Sequence, residues 1–212
     1  MIKIIIADDH PLIREGIKRV IQAEPDIEVI GEAKNGQEAM ELLREKTPDI
    51  LLLDITMPGK NGLELLEQIT EQYSTLKVLI LSNHPEKRFA VRALKAGAYG
   101  YLTKLSYSDE LITAVRRITS QNRKYITDDV AEQLASQVDI TNGNYVHEKL
   151  SNREFQVLCM IASGQSVSEI AEEFSLSPQT IHTYRTRIKE KMNLESNVEM
   201  THYAIENDLI DG

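Results

Sequence analysis

The chain of 212 residues has a single cysteine, Cys159, and no apolar run near the roughly 20 residues needed to cross a bilayer. An internal disulfide is therefore excluded, and a reducing, cytoplasmic setting is expected. Cys159 lies in the apolar helical run Val157–Ile161, where it reads as a plain core thiol rather than a nucleophile. Histidines are few and scattered: His10, His84, His147, His182 and His202 form no cluster with zinc spacing. Positive charge is also short. The formal net charge of −9 argues against nonspecific nucleic-acid binding by the whole molecule, so any DNA contact must come from a local basic surface. The first eight residues, Met1 to Asp8, turn acidic too soon for a signal peptide, and no membrane association is expected. What remains, 42% apolar and 27% charged residues, is ordinary for a soluble globular protein of one large domain or two average ones.

Within residues 1–121, short β-branched runs alternate with segments of helical spacing. The runs are Ile2–Ala7, Ile27–Ile30, Ile50–Leu53, Val78–Leu81 and Gly100–Leu102. Leu12, Gly16, Ile17, Val20 and Ile21 illustrate the helical spacing between them. Five strands alternating with helices predict a doubly wound α/β domain built on a parallel sheet with right-handed crossovers. Ile50 to Leu53 is apolar throughout, which predicts a strand buried on both faces. It ends at Asp54, and Pro58-Gly59 then predicts a turn.

Residues 122–147 carry a weaker pattern, read as an interdomain linker with one short helix at Asp128–Gln137 and turn chemistry at Thr141-Asn142-Gly143-Asn144. Residues 148–212 show only helical spacing. Ser151 and Glu154 form a capping box for a helix ending before Gly164. Ser166 or Ser168 caps a second helix. Ser177 caps a third, with Pro178 at its first position, running to about Met192. Asn197–Asn207 predicts a fourth. The short turn between the second and third helices predicts a helix-turn-helix.

In a parallel sheet all strand ends share one edge, so Asp8 and Asp9 after the first strand meet Asp54 after the third. Three carboxylates that close demand raised pKa values or a divalent cation, and oxygen donors suit Mg²⁺ rather than zinc. Ser82 and Lys104, at the ends of the fourth and fifth strands, project to the same edge. A carboxylate nucleophile, a cation site, a fixed ammonium and a hydroxyl together suit phosphoryl transfer onto Asp54. A Mg²⁺ phosphohydrolase with an aspartyl-phosphate intermediate uses overlapping parts. It needs a second acid two residues after the nucleophile, where this chain has Thr56.

Four motifs carry a resemblance: Ala7-Asp8-Asp9-His10, Leu53-Asp54-Ile55-Thr56-Met57-Pro58-Gly59, Leu81-Ser82-Asn83-His84 and Tyr99-Gly100-Tyr101-Leu102-Thr103-Lys104. With them, residues 1–121 resemble a response-regulator receiver domain, and residues 148–212 resemble a LuxR-type helix-turn-helix. The whole is similar to the NarL/FixJ family of two-component regulators. The resemblance implies a flavodoxin-like strand order 2-1-3-4-5 and phosphorylation of Asp54 by a sensor histidine kinase. It implies Mg²⁺ on Asp9, Asp54 and the Thr56 backbone carbonyl, with Asp8 acting mostly through water. Lys104 would pair with the acyl phosphate, Ser82 would hydrogen-bond it, and Tyr101 would serve as the switch residue of the fifth strand. Thr56 and His84 would flank the pocket. Lys104-Leu105 stands where many receivers have Lys-Pro. The transfer would be self-catalysed, in a regulator rather than a turnover enzyme. Implied partners are double-stranded DNA, a second copy of the chain once phosphorylated, and RNA polymerase.

Helix Pro178–Met192 turns Ile181, Ile188 and Met192 inward, with Tyr184. Gln179, His182, Thr183 and Thr186 are candidate base readers, and Thr180, Arg185 and Lys189 candidate phosphate contacts. From Glu148 onward, 6 Lys and Arg oppose 11 Asp and Glu, yet Gln179–Asn193 is net +3. The positive stripe is thus confined to the helix that would need it.

Overall fold

The computed structural model describes residues 1–57, 62–83, 86–105, 108–139 and 145–210. The expected turns at Pro58-Gly59 and Thr141-Asn142-Gly143-Asn144, and the placement of His84, lie outside the described residues. The chain forms two compact units, Met1–Gln133 and Leu134–Gly212.

The first unit runs β1 (Ile2–Ala7), α1 (Pro11–Gln22), β2 (Ile27–Ala33), α2 (Gly36–Glu45), β3 (Ile50–Asp54), α3 (Gly62–Gln72), β4 (Lys77–Ser82), α4 (Glu86–Lys95), β5 (Gly100–Thr103) and α5 (Ser108–Gln121). All strand pairs are parallel, and the order is β2-β1-β3-β4-β5. Strand periodicity sorts the core. Ile4, Ile6, Ile50, Leu52, Leu79, Leu81 and Leu102 pack with Ile21 of α1 and with Leu111, Ile112, Val115 and Ile118 of α5. The alternate residues Ile5, Leu51, Leu53, Val78 and Ile80 are buried as well. Each such side chain contributes about 1.5–3 kcal/mol, which fixes β3 at the centre with both faces covered.

β2 is longer than its apolar run suggests. Gly31, Glu32 and Ala33 pair with Ile5, Ile6 and Ala7 after a register shift between Ile4 and Ile5. Pairing with β1, rather than its own hydrophobicity, carries that extension.

Beyond α5 the chain returns to the sheet edge. Tyr125 forms an isolated parallel bridge with Gly100, and its N–H donates to the Tyr99 carbonyl at 2.7 Å. Lys124 Nζ donates to the Leu94 carbonyl near the end of α4 at 3.1 Å. Helix α6 (Asp128–Asp139) follows, with Val130 buried. The first compact unit extends to Gln133, inside α6.

In the second unit a 3-10 turn (Val146–Lys149) precedes α7 (Asn152–Ala162), α8 (Val167–Glu173), α9 (Pro178–Met192) and α10 (Asn197–Glu206). Serines start all four α-helices. Ser151 and Ser166 each form a capping box with the glutamate three residues on, so Ser166 rather than Ser168 caps α8. Ser177 caps α9, with Pro178 at its first position, and Ser196 caps α10. Helix α9 ends at Asn193 in the left-handed region, φ 55°, a conformation that asparagine tolerates. Phe155, Leu158, Ile170, Phe174, Ile181, Ile188, Met192, Met200 and Ala204 are buried between these helices. Two polar contacts brace them: the Arg153 guanidinium lies 4.1 Å from the Phe174 ring centroid, and Lys191 Nζ lies 2.6 Å from Glu154 Oε2.

Candidate functional site

The C-terminal edge of the sheet brings the acidic residues together. Asp54 is the last residue of β3, paired with Leu81 of β4, and is only 1% exposed. Asp8, just past β1, is 2% exposed. Between them sits the Lys104 ammonium, 2.7 Å from Asp8 Oδ2 and 2.7 Å from Asp54 Oδ2. The Lys104 backbone N–H donates to the Ser82 carbonyl at 2.8 Å, so the end of β4 positions the lysine. Ser82 is fully buried there.

Two carboxylates share this one ammonium. Burial pushes the Asp54 carboxyl up, Lys104 pulls it down, and Asp8 pushes it up again; the balance lies above the usual aspartate value. Burial opposes the charge on Lys104, yet Asp54 and Asp8 outweigh it and raise its pKa. The excess negative charge leaves room for a further cation. Asp8, Asp9, His10 and Asp54 each offer a donor atom within 4.8 Å of the others, so the cluster has the size and chemistry of a divalent-ion site.

Thr56 and His10 take parts that the sequence reading missed. Thr56 N–H donates to Asp54 Oδ1 at 3.0 Å, and Thr56 Oγ1 lies 2.8 and 2.9 Å from the two carboxylate oxygens. The threonine hydroxyl thus rests on the candidate nucleophile itself. His10, grouped by sequence with the scattered histidines, is inside the acidic cluster: its Nδ1 lies 2.9 Å from Asp9 Oδ1 and 3.2 Å from Asp8 Oδ1. Its adjacency to Asp8-Asp9 was the available signal. Arg14 Nη1 also donates to the Asp8 carbonyl, at 2.6 Å. Tyr101 of β5 is buried and pairs with Ile80, while Leu105 is exposed to solvent.

Gly62, the first residue of α3, lets that helix close over the end of β3. A Cβ there would stand 2.4 Å from the Ile55 Cα and 2.7 Å from the Asp54 carbonyl oxygen. Gly62→Ala is expected to lower stability by about 1–3 kcal/mol through overpacking, read from urea unfolding. Because the displaced backbone is that of Asp54 and Ile55, phosphoryl acceptance should slow as well.

The second candidate site is α9. Ile181, Ile188 and Met192 are buried and Tyr184 is half-buried, as expected. Gln179, Thr183 and Thr186 are exposed; Thr180, His182, Arg185 and Lys189 are half-buried. The Thr183 and Thr186 hydroxyls donate to the Gln179 and His182 carbonyls, so they must rotate to meet a base edge. Thr180 is tied into the cap, its Oγ1 2.8 Å from Ser177 Oγ. Lys189 Nζ donates to the Glu195 carbonyl at 2.7 Å. Lys191 does not belong to the outer stripe: it holds Glu154 of α7. Burial alone would raise the Glu154 pKa, but Lys191 and the Ser151 backbone outweigh it and lower it. That leaves Arg185, Arg187 and Lys189 against Glu190 on the stripe, and ties the end of α9 to the start of α7.

Residues 4–116 match the response regulator receiver domain, and residues 148–204 match the bacterial regulatory proteins of the luxR family. Over 210 residues the chain is 39% identical to response regulator UvrY of Escherichia coli K12, covering 99% of this chain and 96% of that protein. It is 36% identical to response regulator GacA of Pseudomonas aeruginosa over 212 residues, covering 100% and 99%. A LuxR-family two-component response regulator from Aurantimonas sp. SI85-9A1 matches in structure with TM-score 0.59 and 38% identity, over 65% of this chain and 97% of that one. RcsB of Salmonella enterica serovar Typhimurium, bound to promoter rprA with the phosphomimetic BeF3⁻, matches with TM-score 0.64 and 25% identity, over 95% and 97%. With a receiver match over the first part, a luxR-family match over the last and relatives aligned along nearly the whole chain, the chain belongs to the two-component response regulators that join a receiver domain to a LuxR-type DNA-binding domain.

Proposed function

We propose that a sensor histidine kinase phosphorylates this regulator on Asp54 in a Mg²⁺-dependent reaction, and that the modification controls sequence-specific DNA binding by α9. The observation that carries the reading is the Lys104 ammonium held at 2.7 Å from both Asp54 and Asp8 on a buried strand edge. An Asp54 oxygen attacks the phosphorus of a phosphohistidine, the P–N bond breaks, and the departing imidazole takes up a proton. Lys104 then pairs with the new acyl phosphate and Ser82 hydrogen-bonds it, while Thr56 Oγ1 gives up its place on the carboxylate. Mg²⁺, when bound by Asp9, Asp54 and the Thr56 carbonyl with Asp8 behind it, supplies charge neutralisation. Tyr101 is the residue that answers the movement of Ser82.

In this reading residues 1–121 are the receiver, 122–147 the connector and 148–212 the output domain. Base contacts fall to Gln179, His182, Thr183 and Thr186, and phosphate contacts to Thr180, Arg185 and Lys189. Helix α10 is the candidate dimer surface, since Val198 and Ile205 are exposed on it while Met200 and Ala204 face the core. RNA polymerase is a further partner, and the cytoplasm the expected location. Among the described residues no helix is long and apolar enough to cross a membrane.

Loading the protein with a small phosphodonor and Mg²⁺ is expected to add one phosphoryl mass and to tighten binding to DNA selected from a random pool. Asp54→Ala is expected to show neither effect. A mass gain that survives in Asp54→Ala would remove Asp54 from the mechanism.

A further inference from the structure

We propose that His10 is a metal ligand, and that its nitrogen tunes the acidic pocket toward first-row transition cations over Mg²⁺. The inference rests on reading the pocket as a cation site and extends it to a choice between ions. His10 occupies the N-cap position of α1, where an oxygen-bearing side chain would normally bond a helix N–H, yet its side chain makes no cap bond. The backbone N–H of His10 instead donates to Asp8 Oδ1 at 2.8 Å, and this anchors the ring against the carboxylates.

The distances fit a coordination polyhedron. His10 Nδ1 stands 2.9 Å from Asp9 Oδ1, 3.2 Å from Asp8 Oδ1 and 4.0 Å from Asp54 Oδ2. For metal–ligand bonds of about 2.1 Å, neighbouring octahedral donors lie about 3 Å apart and opposite donors about 4.2 Å apart. Nδ1 is thus spaced from the Asp9 and Asp54 oxygens as a further donor to a cation held between them would be. The ring N–H can reach Asp8 and Asp9 but not Asp54, whereas a cation held by Asp9 and Asp54, with Asp8 behind it, is within reach of Nδ1. At Asp8, Lys104 takes Oδ2 and leaves Oδ1 to the His10 side; at Asp54 it contacts Oδ2, the oxygen nearest His10, which the cation would share with it.

Donor chemistry then sets the preference. Mg²⁺ favours oxygen and gives up its waters reluctantly, so an imidazole adds little to its affinity. Imidazole suits the later first-row ions, whose affinities rise along the series from manganese to copper.

The test uses the untagged full-length protein, with Co²⁺ and Mg²⁺ titrated by calorimetry into wild type, His10→Ala, His10→Gln and Asp9→Asn. Both His10 variants are expected to weaken Co²⁺ by at least about tenfold, with Mg²⁺ affinity unchanged or higher. Bound Mn²⁺ should show nitrogen modulation in pulsed electron paramagnetic resonance of the wild type, and lose it in His10→Gln. Unchanged Co²⁺ affinity in both variants, or Mn²⁺ without nitrogen modulation, would overturn the ligation while leaving the Mg²⁺ site intact. If neither Mg²⁺ nor Co²⁺ binds the wild type in a manner that Asp9→Asn weakens, the cation reading itself fails and this inference with it.

Discussion

Replacing Lys104 by alanine is expected to lower the stability of the protein by about 3–5 kcal/mol at neutral pH, the usual consequence of stripping one partner from a buried ion pair. Asp8 and Asp54, both almost fully buried, would face each other without the ammonium that now lies 2.7 Å from each. Urea unfolding in the presence of a chelator measures the loss. Adding Mg²⁺ should restore part of it, because a divalent cation replaces the missing charge. Phosphoryl acceptance from a small donor should stay absent even when Mg²⁺ restores stability, since no fixed cation remains to pair with the transferred group. An alanine variant as stable as the wild type in chelator would mean that the three groups are not an interdependent set.

Replacing the other partner is expected to act in the opposite direction. Asp54→Asn removes one of two carboxylates sharing a single ammonium, and Lys104 keeps its contact with Asp8. A gain in stability at neutral pH is expected, read as a higher urea midpoint, because two buried carboxylates no longer compete for one ammonium. Burial, reinforced by Asp8, raises the Asp54 pKa above the ordinary aspartate value of 3.8 in the folded protein. A raised folded pKa means that the folded state holds the proton more tightly than the unfolded one. Asp54 then contributes stability that is fully present below about pH 3.8 and is lost as pH rises through the folded value. Wild type and Asp54→Asn should therefore be similarly stable near pH 3, and the variant should pull ahead as pH rises toward neutrality. Equal stability at every pH would contradict this. The variant should also refuse the phosphoryl group, so the same substitution strengthens the fold and removes the signal.

The frame of the molecule could be read from periodicity. Ile50 to Leu53 announced a doubly covered strand, and strands of one parallel sheet must deliver Asp8, Asp54, Ser82 and Lys104 to a common edge. The Ser151–Glu154 capping box, and the serines before the second and third helices, located those helices of the second unit. Contacts set by side-chain rotamers or by pairing at a distance were not legible. The hydroxyl of Thr56 turns back two residues onto Asp54, and the ring of His10 turns back onto Asp8 and Asp9; neither follows from a repeat. Lys191 meets Glu154 across 37 positions of sequence, so a count of charges along α9 placed it on the outer stripe when it belongs to the scaffold. The last three residues of β2 are strand because β1 is there to receive them.

The stitch between Tyr125 and the rim of β5 makes the exit from the first unit a seam rather than a hinge. Gly100 has no room for a side chain there, since a Cβ would come within 3.0 Å of the Tyr125 carbonyl oxygen and 3.1 Å of its Cβ. Lys124 fastens the same few residues to α4, and Val130 seats the start of α6. A lurch of β5 or α4 therefore tugs on the base of α6 at once, with no slack chain to swallow the motion.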